Sequence, residues 1–229
     1  MKTILIIGGS SGVGLQLAKD LSKDNQVIAT YCKHTMNDNT NLSYHPLDIM
    51  QPELDFSFLP DVIDSIIYCP GSIQLKPFGR FTPTDFMEDY QLNVIGATKV
   101  IQAVFPKLKK SASASIVLFS TVAVQTGMAF HSLVSSSKGA IEGLTRALAA
   151  EFAPSIRVNC IAPSLTDTPL ASGLLQSEEK KIAAAQRHPM KKIGSSQDIA
   201  DLASYLVSDK CSWMTGQIIH LDGGMGSIK

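Results

Sequence analysis

The sequence has no excess of charge of either sign. Its 229 residues include 20 Lys and Arg and 20 Asp and Glu, so the formal net charge is zero. A protein that binds nucleic acid or an anionic membrane mainly through electrostatics needs surplus cations to displace counterions. We therefore expect neither nucleic acid nor a membrane as the main partner.

Long apolar runs and paired cysteines are also missing. The opening MKTILIIGG is too short for a secretion signal and leads into a glycine-rich turn. No stretch approaches the roughly 20 apolar residues of a membrane-spanning helix. The cysteines show no C-x-x-C spacing, so neither a metal site nor a disulfide framework is predicted. We expect a cytoplasmic protein with free thiols at Cys32, Cys69, Cys160 and Cys211.

What the sequence does contain is an alternation of short apolar runs with helical patterns, and 45% apolar residues, enough for one large core. Six runs predict strands, at Thr3–Ile7, Gln26–Thr30, Val62–Tyr68, Ser115–Ser120, Ile156–Ile161 and Gln217–Leu221. Four stretches with apolar residues three and four apart predict helices, at Gly12–Ser22, Asp85–Leu108, Ser135–Phe152 and Gln197–Leu206. The alternation predicts a single α/β domain over residues 1–229, a Rossmann-type doubly wound parallel sheet in a three-layer α/β/α arrangement.

Three connections depart from the regular pattern. Lys33–Asn41 and Asp48–Asp61 are so lean that we expect at most one or two helical turns in each. Leu165–Met190 is a long insert with a helical pattern around Glu178–Arg187. A segment that leaves the carboxyl end of a strand in such a sheet lies over the ligand crevice, so we predict a lid or substrate loop over about 165–190. Its apolar residues fit an apolar or partly apolar ligand and equally well a lid packed on its own domain.

The turn IIGGSSGVG, Ile6–Gly14, follows the first predicted strand and opens the first helix. Its spacing G-x-x-x-G-x-G allows a tight reversal and close approach of a pyrophosphate to the free N–H groups of the helix. A turn without a ligand would also use glycines, but the position at the start of a β-α-β pattern favours a dinucleotide. The residues concerned are Gly8, Ser10, Ser11, Gly12, Val13 and Gly14.

The residues after the second predicted strand bear on the choice between NAD and NADP. An acidic side chain there would bind the ribose hydroxyls and repel a 2′-phosphate. The strand instead continues into Tyr31, Cys32, Lys33 and His34. Lys33 offers a cation for the phosphate, with an ordinary exposed lysine as the alternative. We predict NADP(H) in preference to NAD(H).

Lys138 stands near the start of the helix in FHSLVSSSKGAIEGLTRALAAEF, where a positive charge is least favourable to the helix dipole. A cation in that place suggests a nearby group that requires an ammonium.

Seven motifs occur in one order along nearly the whole chain. They are the glycine turn, LDI at Leu47–Ile49, LNVIGA at Leu92–Ala97, IVLFST at Ile116–Thr121, SSSKGAIEGLTRALAAEF, IRVNCIAPSLTDTP at Ile156–Pro169 and GQIIHLDGG at Gly216–Gly224. Together they resemble the short-chain dehydrogenase/reductase family. The resemblance implies a seven-stranded parallel sheet, hydride transfer between a nicotinamide and a carbonyl or alcohol, and a homodimer or homotetramer.

The resemblance also implies roles for individual residues at the cofactor. Asp48 and Ile49 would border the adenine, Asn93 would kink its helix and support a water, and Lys138 would bind the nicotinamide ribose. The nicotinamide end would be held by Pro163, Ser164, Thr166 and Thr168. With Gly71, these residues, the glycine turn and Tyr31 to Lys33 form the expected cofactor site.

In the family, a tyrosine is the general acid or base, a lysine four residues later lowers its pKa, and a serine holds the substrate oxygen. Lys138 matches the lysine, and Thr121 falls at the serine position, with Ser120 one residue earlier. Val134 falls at the tyrosine position and has no proton to give. Loss of a general acid typically costs about a hundred- to ten-thousand-fold in rate.

Several residues have to be considered as substitutes for the tyrosine. His131 lies seven residues before Lys138, the spacing of the tyrosine in the enoyl-reductase branch of the family, and its ordinary pKa of about 6.5 suits acid–base chemistry. A neighbouring ammonium disfavours its protonated form, and a loop histidine facing solvent needs no function. Ser135 is a poor acid at a helix start. The tyrosines of other elements are Tyr68, Tyr90 and Tyr205.

Two functions follow. The first is an NADP(H)-dependent oxidoreductase acting on a small carbonyl, alcohol or activated C=C substrate, with Asn93, Thr121, Lys138 and His131 as candidate catalytic residues. The second is an NADP(H)-binding sensor or scaffold without turnover. A protein that has lost the cofactor as well is disfavoured, because the glycine turn and Lys138 are intact.

Overall fold

A seven-stranded parallel sheet forms the centre of the computed structural model, which describes residues 1–228. Its strands are β1 Thr3–Ile7, β2 Gln26–Tyr31, β3 Leu42–Pro46, β4 Ser65–Tyr68, β5 Ala114–Phe119, β6 Ile156–Pro163 and, at the far edge, β9 Ile218–Leu221. The order across the sheet is β3-β2-β1-β4-β5-β6-β9, and every neighbouring pair runs parallel. The strand order changes direction between β1 and β4, which opens a crevice at their carboxyl ends.

Helices cover both faces of this sheet. They are α1 Gly12–Leu21, α2 Pro83–Tyr90, α3 Gly96–Leu108, α4 Ala123–Thr126, α5 Ser132–Phe152, α6 Glu178–Gln186 and α7 Ser196–Val207. Apolar residues of α3 and α5 pack on one face of the sheet, and those of α1 and α7 pack on the other. The predicted single-domain, three-layer α/β/α fold is therefore confirmed.

Two differences from the predicted elements have physical causes. β3 was not predicted, because this edge strand alternates buried and half-buried residues and ends in a proline instead of forming an apolar run. The predicted helix Asp85–Leu108 is divided by a π-helical turn at Gln91–Ile95, which joins α2 to α3. Neither lean segment, Lys33–Asn41 or Asp48–Asp61, forms an α-helix.

The long insert is closed at its base by a small second sheet. Its strands are β7 Thr166–Asp167 and β8 Gly194–Ser195, which run parallel. Between them lie a 3₁₀ turn, Pro169–Leu174, and the predicted helix of the insert, α6. The insert is therefore an ordered excursion from the carboxyl end of β6.

A close contact beside the π-helical turn fixes the approach of α3 to the sheet. The Tyr68 hydroxyl donates a hydrogen bond of 2.6 Å to the carbonyl of Leu92. A Cβ at Gly96 would lie 2.4 Å from Tyr68 Oη, so only glycine leaves room for the hydroxyl. The irregular helix turn, the tyrosine and the glycine are thus mutually dependent.

This dependence predicts non-additive stabilities. Gly96→Ala should cost about 1–3 kcal/mol of unfolding free energy through overpacking. Tyr68→Phe should cost about 1 kcal/mol, because the Leu92 carbonyl loses its partner. The double variant lacks the oxygen that obstructs the new methyl, so its loss should be smaller than the sum of the single losses. Urea unfolding of the four proteins measures this, and strictly additive losses would show that Tyr68 does not constrain Gly96.

Candidate active site

The glycine turn after β1 adopts the conformation that a phosphate-binding turn requires. Gly8 and Gly12 have φ of 76° and 51°, in the left-handed region that favours glycine. A Cβ at Gly14 would lie 2.2 Å from the carbonyl oxygen of Gly8. Ser11, the N-cap of α1, makes no side-chain capping hydrogen bond, so the first N–H groups of the helix remain open to an anion.

A groove of about 580 Å³ runs along this turn and past the ends of β2 and β4. It is lined by most of the residues that the sequence assigned to the cofactor. These are Gly8, Ser10, Ser11, Gly12, Val13, Gly14, Tyr31, Cys32, Lys33, Asp48, Ile49, Gly71 and Thr168. Lys33 and His34 are exposed in the groove wall, where the sequence predicts a phosphate contact.

A second cavity, of about 460 Å³, adjoins the groove at the carboxyl ends of β5 and β6 and reaches under the insert. The two share Val13, Cys69, Gly71, Thr168 and Leu170 in their linings. The second cavity is lined by all the other predicted site residues except Asn93, namely Thr121, His131, Lys138, Pro163, Ser164 and Thr166. The structure thus brings the two sets of predicted residues to one continuous depression.

Lys138 occupies the wall of the second cavity although its side chain is almost entirely buried, with 8% of its surface exposed. A Cβ at Gly71 would lie 3.4 Å from its Nζ, which places the ammonium beside the junction of the cavity with the groove. Its only hydrogen bond outside the backbone ladder of α5, within residues 1–228, is accepted by its carbonyl, from Ser120. The ammonium itself has no partner among them.

Burial lowers the pKa of Lys138 to about 8, because the charged form loses hydration. Charges on Cys160, Asp89 and Cys69 oppose that shift. Burial also raises the pKa of both thiols to about 12, so near neutral pH they are uncharged. Asp89 is therefore the residue whose charge favours the ammonium.

The position four residues before Lys138 presents an apolar wall to the cavity. Val134 is 6% exposed and lines it. None of the five tyrosines, all within residues 1–228, lines this cavity. Tyr68 is buried and bonded to Leu92, Tyr31 lines the groove, Tyr44 is buried against the other face of the sheet, and Tyr90 and Tyr205 are exposed. No tyrosine therefore replaces the one that the resemblance implies.

Asp89 forms a buried polar cluster that the sequence analysis did not find. The carboxylate, on α2, accepts hydrogen bonds from Ser72, in the cavity wall after β4, and from Ser137, the neighbour of Lys138 on α5. It is 4% exposed. A single acid at helical spacing gives no sign of burial in a sequence, since most such residues face solvent.

Asn93 lies in the π-helical turn and is fully buried. Its Nδ2 donates to the carbonyl of Asp89 at 2.9 Å, while its Oδ1 has no partner within residues 1–228. It lines neither cavity, but a Cβ at Gly71 would lie 3.5 Å from Oδ1 and 3.4 Å from Lys138 Nζ. The unpaired oxygen therefore lies close behind the junction, in a position suited to a water near the lysine.

The hydroxyls of Ser120 and Thr121, at the end of β5, differ in whether they are free to donate a hydrogen bond into the cavity. The Ser120 hydroxyl donates to Glu142 Oε1 at 2.7 Å and points toward α5. Thr121 lines the cavity, and its hydroxyl oxygen accepts only a 3.3 Å bond from the N–H of Ala123. Thr121 thus has a hydroxyl proton that is free at the cavity wall.

Two histidines line the cavity. His131 Nδ1 lies 2.7 Å from the carbonyl of Ala129, which requires a proton on Nδ1 and leaves Nε2 an acceptor in the neutral ring. His188, which the sequence analysis did not single out, is buried and bonds through Nδ1 to the carbonyl of Ala184 at 2.9 Å and through Nε2 to the Ser164 hydroxyl at 2.8 Å. It fastens the end of α6 to the end of β6.

The residues present fit a bound dinucleotide. The uncapped start of α1, the turn that a Cβ would fill and the unpartnered Lys138 ammonium lie along one depression, and the orphaned Asn93 Oδ1 lies close behind it. Within the described part of the chain, no cluster of His, Cys, Asp and Glu could hold a metal ion. None of the helices in that part is both long and apolar enough to cross a membrane.

Removal of the Asp89 charge should lower the pKa of Lys138 further. We expect Asp89→Asn to move it from about 8 to a lower value, because burial is then opposed by no neighbouring carboxylate. The pH dependence of Lys138 acylation by an amine-directed reagent, followed by mass spectrometry, measures the shift. Asp61→Asn, an exposed acid outside both cavities, is the charge-matched control. An unchanged pKa in Asp89→Asn would contradict the electrostatic role.

Comparison with known proteins agrees with this geometry. Residues 58–226 match the family model described as enoyl-(acyl carrier protein) reductase. A tropinone reductase homologue of Arabidopsis thaliana is 30% identical over 239 residues, which cover 96% of this chain and 91% of the relative. A short-chain dehydrogenase family protein of Francisella tularensis is 27% identical with a TM-score of 0.89 over 98% of both chains. A variant of ElxO with one tyrosine replaced by phenylalanine and NADPH bound is 25% identical, with a TM-score of 0.86 over 98% of both chains. On this likeness of sequence and fold, the chain belongs to the short-chain dehydrogenase/reductase family of oxidoreductases.

Proposed function

We propose that this protein transfers a hydride between NADP(H) and a small carbonyl, alcohol or activated C=C compound. The observation that carries the proposal is the junction of groove and cavity at Gly71, with the buried, unpartnered ammonium of Lys138 beside it. A buried cation without a partner is unfavourable, and the hydroxyls of a ribose at the junction would supply acceptors.

The residues of the groove would hold the dinucleotide along its length. The N–H groups of the glycine turn suit the pyrophosphate, and Asp48 and Ile49 border the space for the adenine. Lys33 and His34 leave the groove without an acid after β2, which favours a 2′-phosphate. The NADPH bound by the ElxO variant supports the same choice. When bound, the cofactor supplies or accepts the hydride.

With Val134 at the cavity wall, Lys138 itself is the proton source that we propose for reduction. Its ammonium reaches the cavity, and its pKa of about 8 lies near the ambient pH, where a general acid is most effective. The Thr121 hydroxyl would donate a hydrogen bond to the substrate oxygen. His131 is the second candidate acid: its Nδ1 proton is held by the Ala129 carbonyl, so it would donate from Nε2 of the protonated ring, and His131→Ala tests it.

The insert over 165–190 is proposed as the lid of the substrate end. The insert lines the upper side of the cavity with Leu165, Leu170, Leu174 and the α6 residues Ala183 and Ala184.

We also propose a homodimer or homotetramer in a reducing cytoplasm. The C-terminal stretch SWMTGQIIHLDGGMG contains Trp213, which is 99% exposed and suits a subunit interface. Size-exclusion chromatography with light scattering measures the assembly.

One observation favours a second function, an NADP(H)-binding sensor or scaffold without turnover. No tyrosine lines the cavity, and Val134 offers only an apolar surface. The two functions differ in a single result. NADPH that binds tightly but is not oxidised by any of a panel of carbonyl and activated C=C compounds would favour the sensor.

Replacement of Lys33 tests the cofactor preference. Lys33→Ala should weaken NADPH binding about five- to tenfold and leave NADH binding unchanged, since one exposed cation–phosphate contact is worth about 1 kcal/mol. Titration of nicotinamide fluorescence measures both affinities. Lys110→Ala removes an exposed lysine that lines neither cavity and serves as the control. Equal weakening of NADPH and NADH would show that Lys33 does not read the phosphate.

The proposed proton source predicts a dependence on pH. Lys138 donates only while protonated, so kcat/KM for NADPH at fixed carbonyl concentration should be level below about pH 8 and fall above it. A profile that stays level from pH 7 to 9 would exclude Lys138 as the acid.

A tyrosine at the position where the family has one also tests which group donates the proton. Val134→Tyr places a phenol four residues before Lys138 and should raise the rate of carbonyl reduction about 10²–10⁴-fold. Val134→Phe fills the same space without a hydroxyl and is the matched control. Equal rates in the two variants would show that the added proton donor is not used.

A further inference from the structure

The cavity-facing side of α6 has an unusual composition. Lys180, Ala183, Ala184 and Arg187, the residue that caps the helix, are spaced as one helical face, and all four line the cavity of about 460 Å³. The two alanines leave open space between a cation at each end. The face is therefore a shallow apolar strip with positive charge at both of its limits.

No acid balances these cations inside the cavity. Among residues 1–228, the charged residues of its lining are Lys138, Lys180 and Arg187, and no Asp or Glu lines it. His131 and His188 also face it, and each has a nitrogen bonded to a backbone carbonyl. The cavity thus combines an apolar surface with positive charge only, which is complementary to an anion.

Whether a cation of α6 is paired with an acid depends on whether it lines the cavity. Lys181, which lies outside the cavity lining, pairs with Asp167 at 3.2 Å. Within residues 1–228, the Lys180 ammonium donates only to the neutral amide of Gln176, at 3.2 Å. Within residues 1–228, the Arg187 side chain makes no ion pair and no hydrogen bond, although Glu178 and Glu179 lie on the same helix. The cation outside the lining is paired with an acid, and the two exposed cations that border the cavity are not.

The backbone at Arg187 is held in place by the next residue, His188. His188 is 2% exposed and ties the end of α6 to Ser164 at the end of β6, through the 2.8 Å bond of its Nε2. The backbone that carries Arg187 is therefore anchored to the sheet. A guanidinium on an anchored backbone suits two-point binding of a carboxylate or phosphate.

We propose that the substrate carries an anionic group, a carboxylate or a phosphate monoester, which Arg187 and Lys180 bind at the α6 end of the cavity. The reacting carbon then lies at the other end, beside Thr121 and Lys138, with an apolar segment between the two ends along Leu170 and Leu174. This inference rests on the proposed function, because it assigns the substrate class of the same site.

Binding of defined probes tests the inference without turnover. The probes are 4-oxopentanoate, its uncharged methyl ester, and hydroxyacetone phosphate, and their dissociation constants are measured by calorimetry with and without NADPH. The wild type should bind at least one of the two anions about tenfold more tightly than the ester. The tighter of the two identifies the anion as carboxylate or phosphate.

Variants locate the binding group. Arg187→Gln should weaken binding of the preferred anion about tenfold and Lys180→Gln severalfold, and neither should change binding of the ester. Lys181→Gln removes the same charge from an adjacent position outside the cavity lining, where the lysine pairs with Asp167, and should change nothing. Equal affinity of ester and both anions, or an equal loss in Lys181→Gln, would overturn the inference.

The same experiment separates this inference from the proposed function. NADPH affinity is measured independently by nicotinamide fluorescence. NADPH binding without any preference for the anions leaves the proposed function standing and overturns the anion site. A preference for an anion that depends on Arg187, in a protein that does not bind NADPH, supports the anion site and overturns the proposed function.

Discussion

The site depends on the burial of one ammonium group. Lys138 lies near the start of α5, almost without solvent, and its burial lowers its pKa to about 8. The surrounding structure reduces the free-energy cost of burying the ammonium but does not eliminate it. Asp89 contributes the charge that favours the ammonium, and it is held by the hydroxyls of Ser72 and Ser137. The cation itself stays unpartnered, so a ligand that brings acceptors to it gains binding energy from this arrangement.

The parallel sheet places all parts of the site at one edge. The glycine turn follows β1, Gly71 follows β4, Thr121 follows β5, and Pro163 ends β6. Because the carboxyl ends of parallel strands meet at the same edge, residues as far apart in the chain as Gly8 and Pro163 line one depression. The insert after β6 then covers the end of that depression away from the glycine turn, and α6 faces it with two unbalanced cations.

The sequence predicted the parts of the structure that local patterns encode. β1 begins and ends at the predicted residues, α5 and α6 lie where apolar spacing indicated helices, and the glycine turn opens α1. The edge strand β3 was missed because its residues alternate between buried and half-buried, which reflects one well-covered face instead of two. Pairings across the fold were missed as well. Neither Asp89 with Ser137 nor Ser164 with His188 leaves a signal in the chain, since each arises only where elements pack.

The most direct test of the central role of Lys138 is the number of protons taken up when NADPH binds, measured by calorimetry in buffers of different ionisation enthalpy. At pH 8 about half of the free protein should have a neutral lysine, because its pKa is about 8. Acceptors from the cofactor would raise that pKa, so we predict uptake of up to about half a proton, less at pH 6.5, and none in Lys138→Met. NADPH binding without proton uptake at pH 8, or with the same uptake in Lys138→Met, would contradict the account.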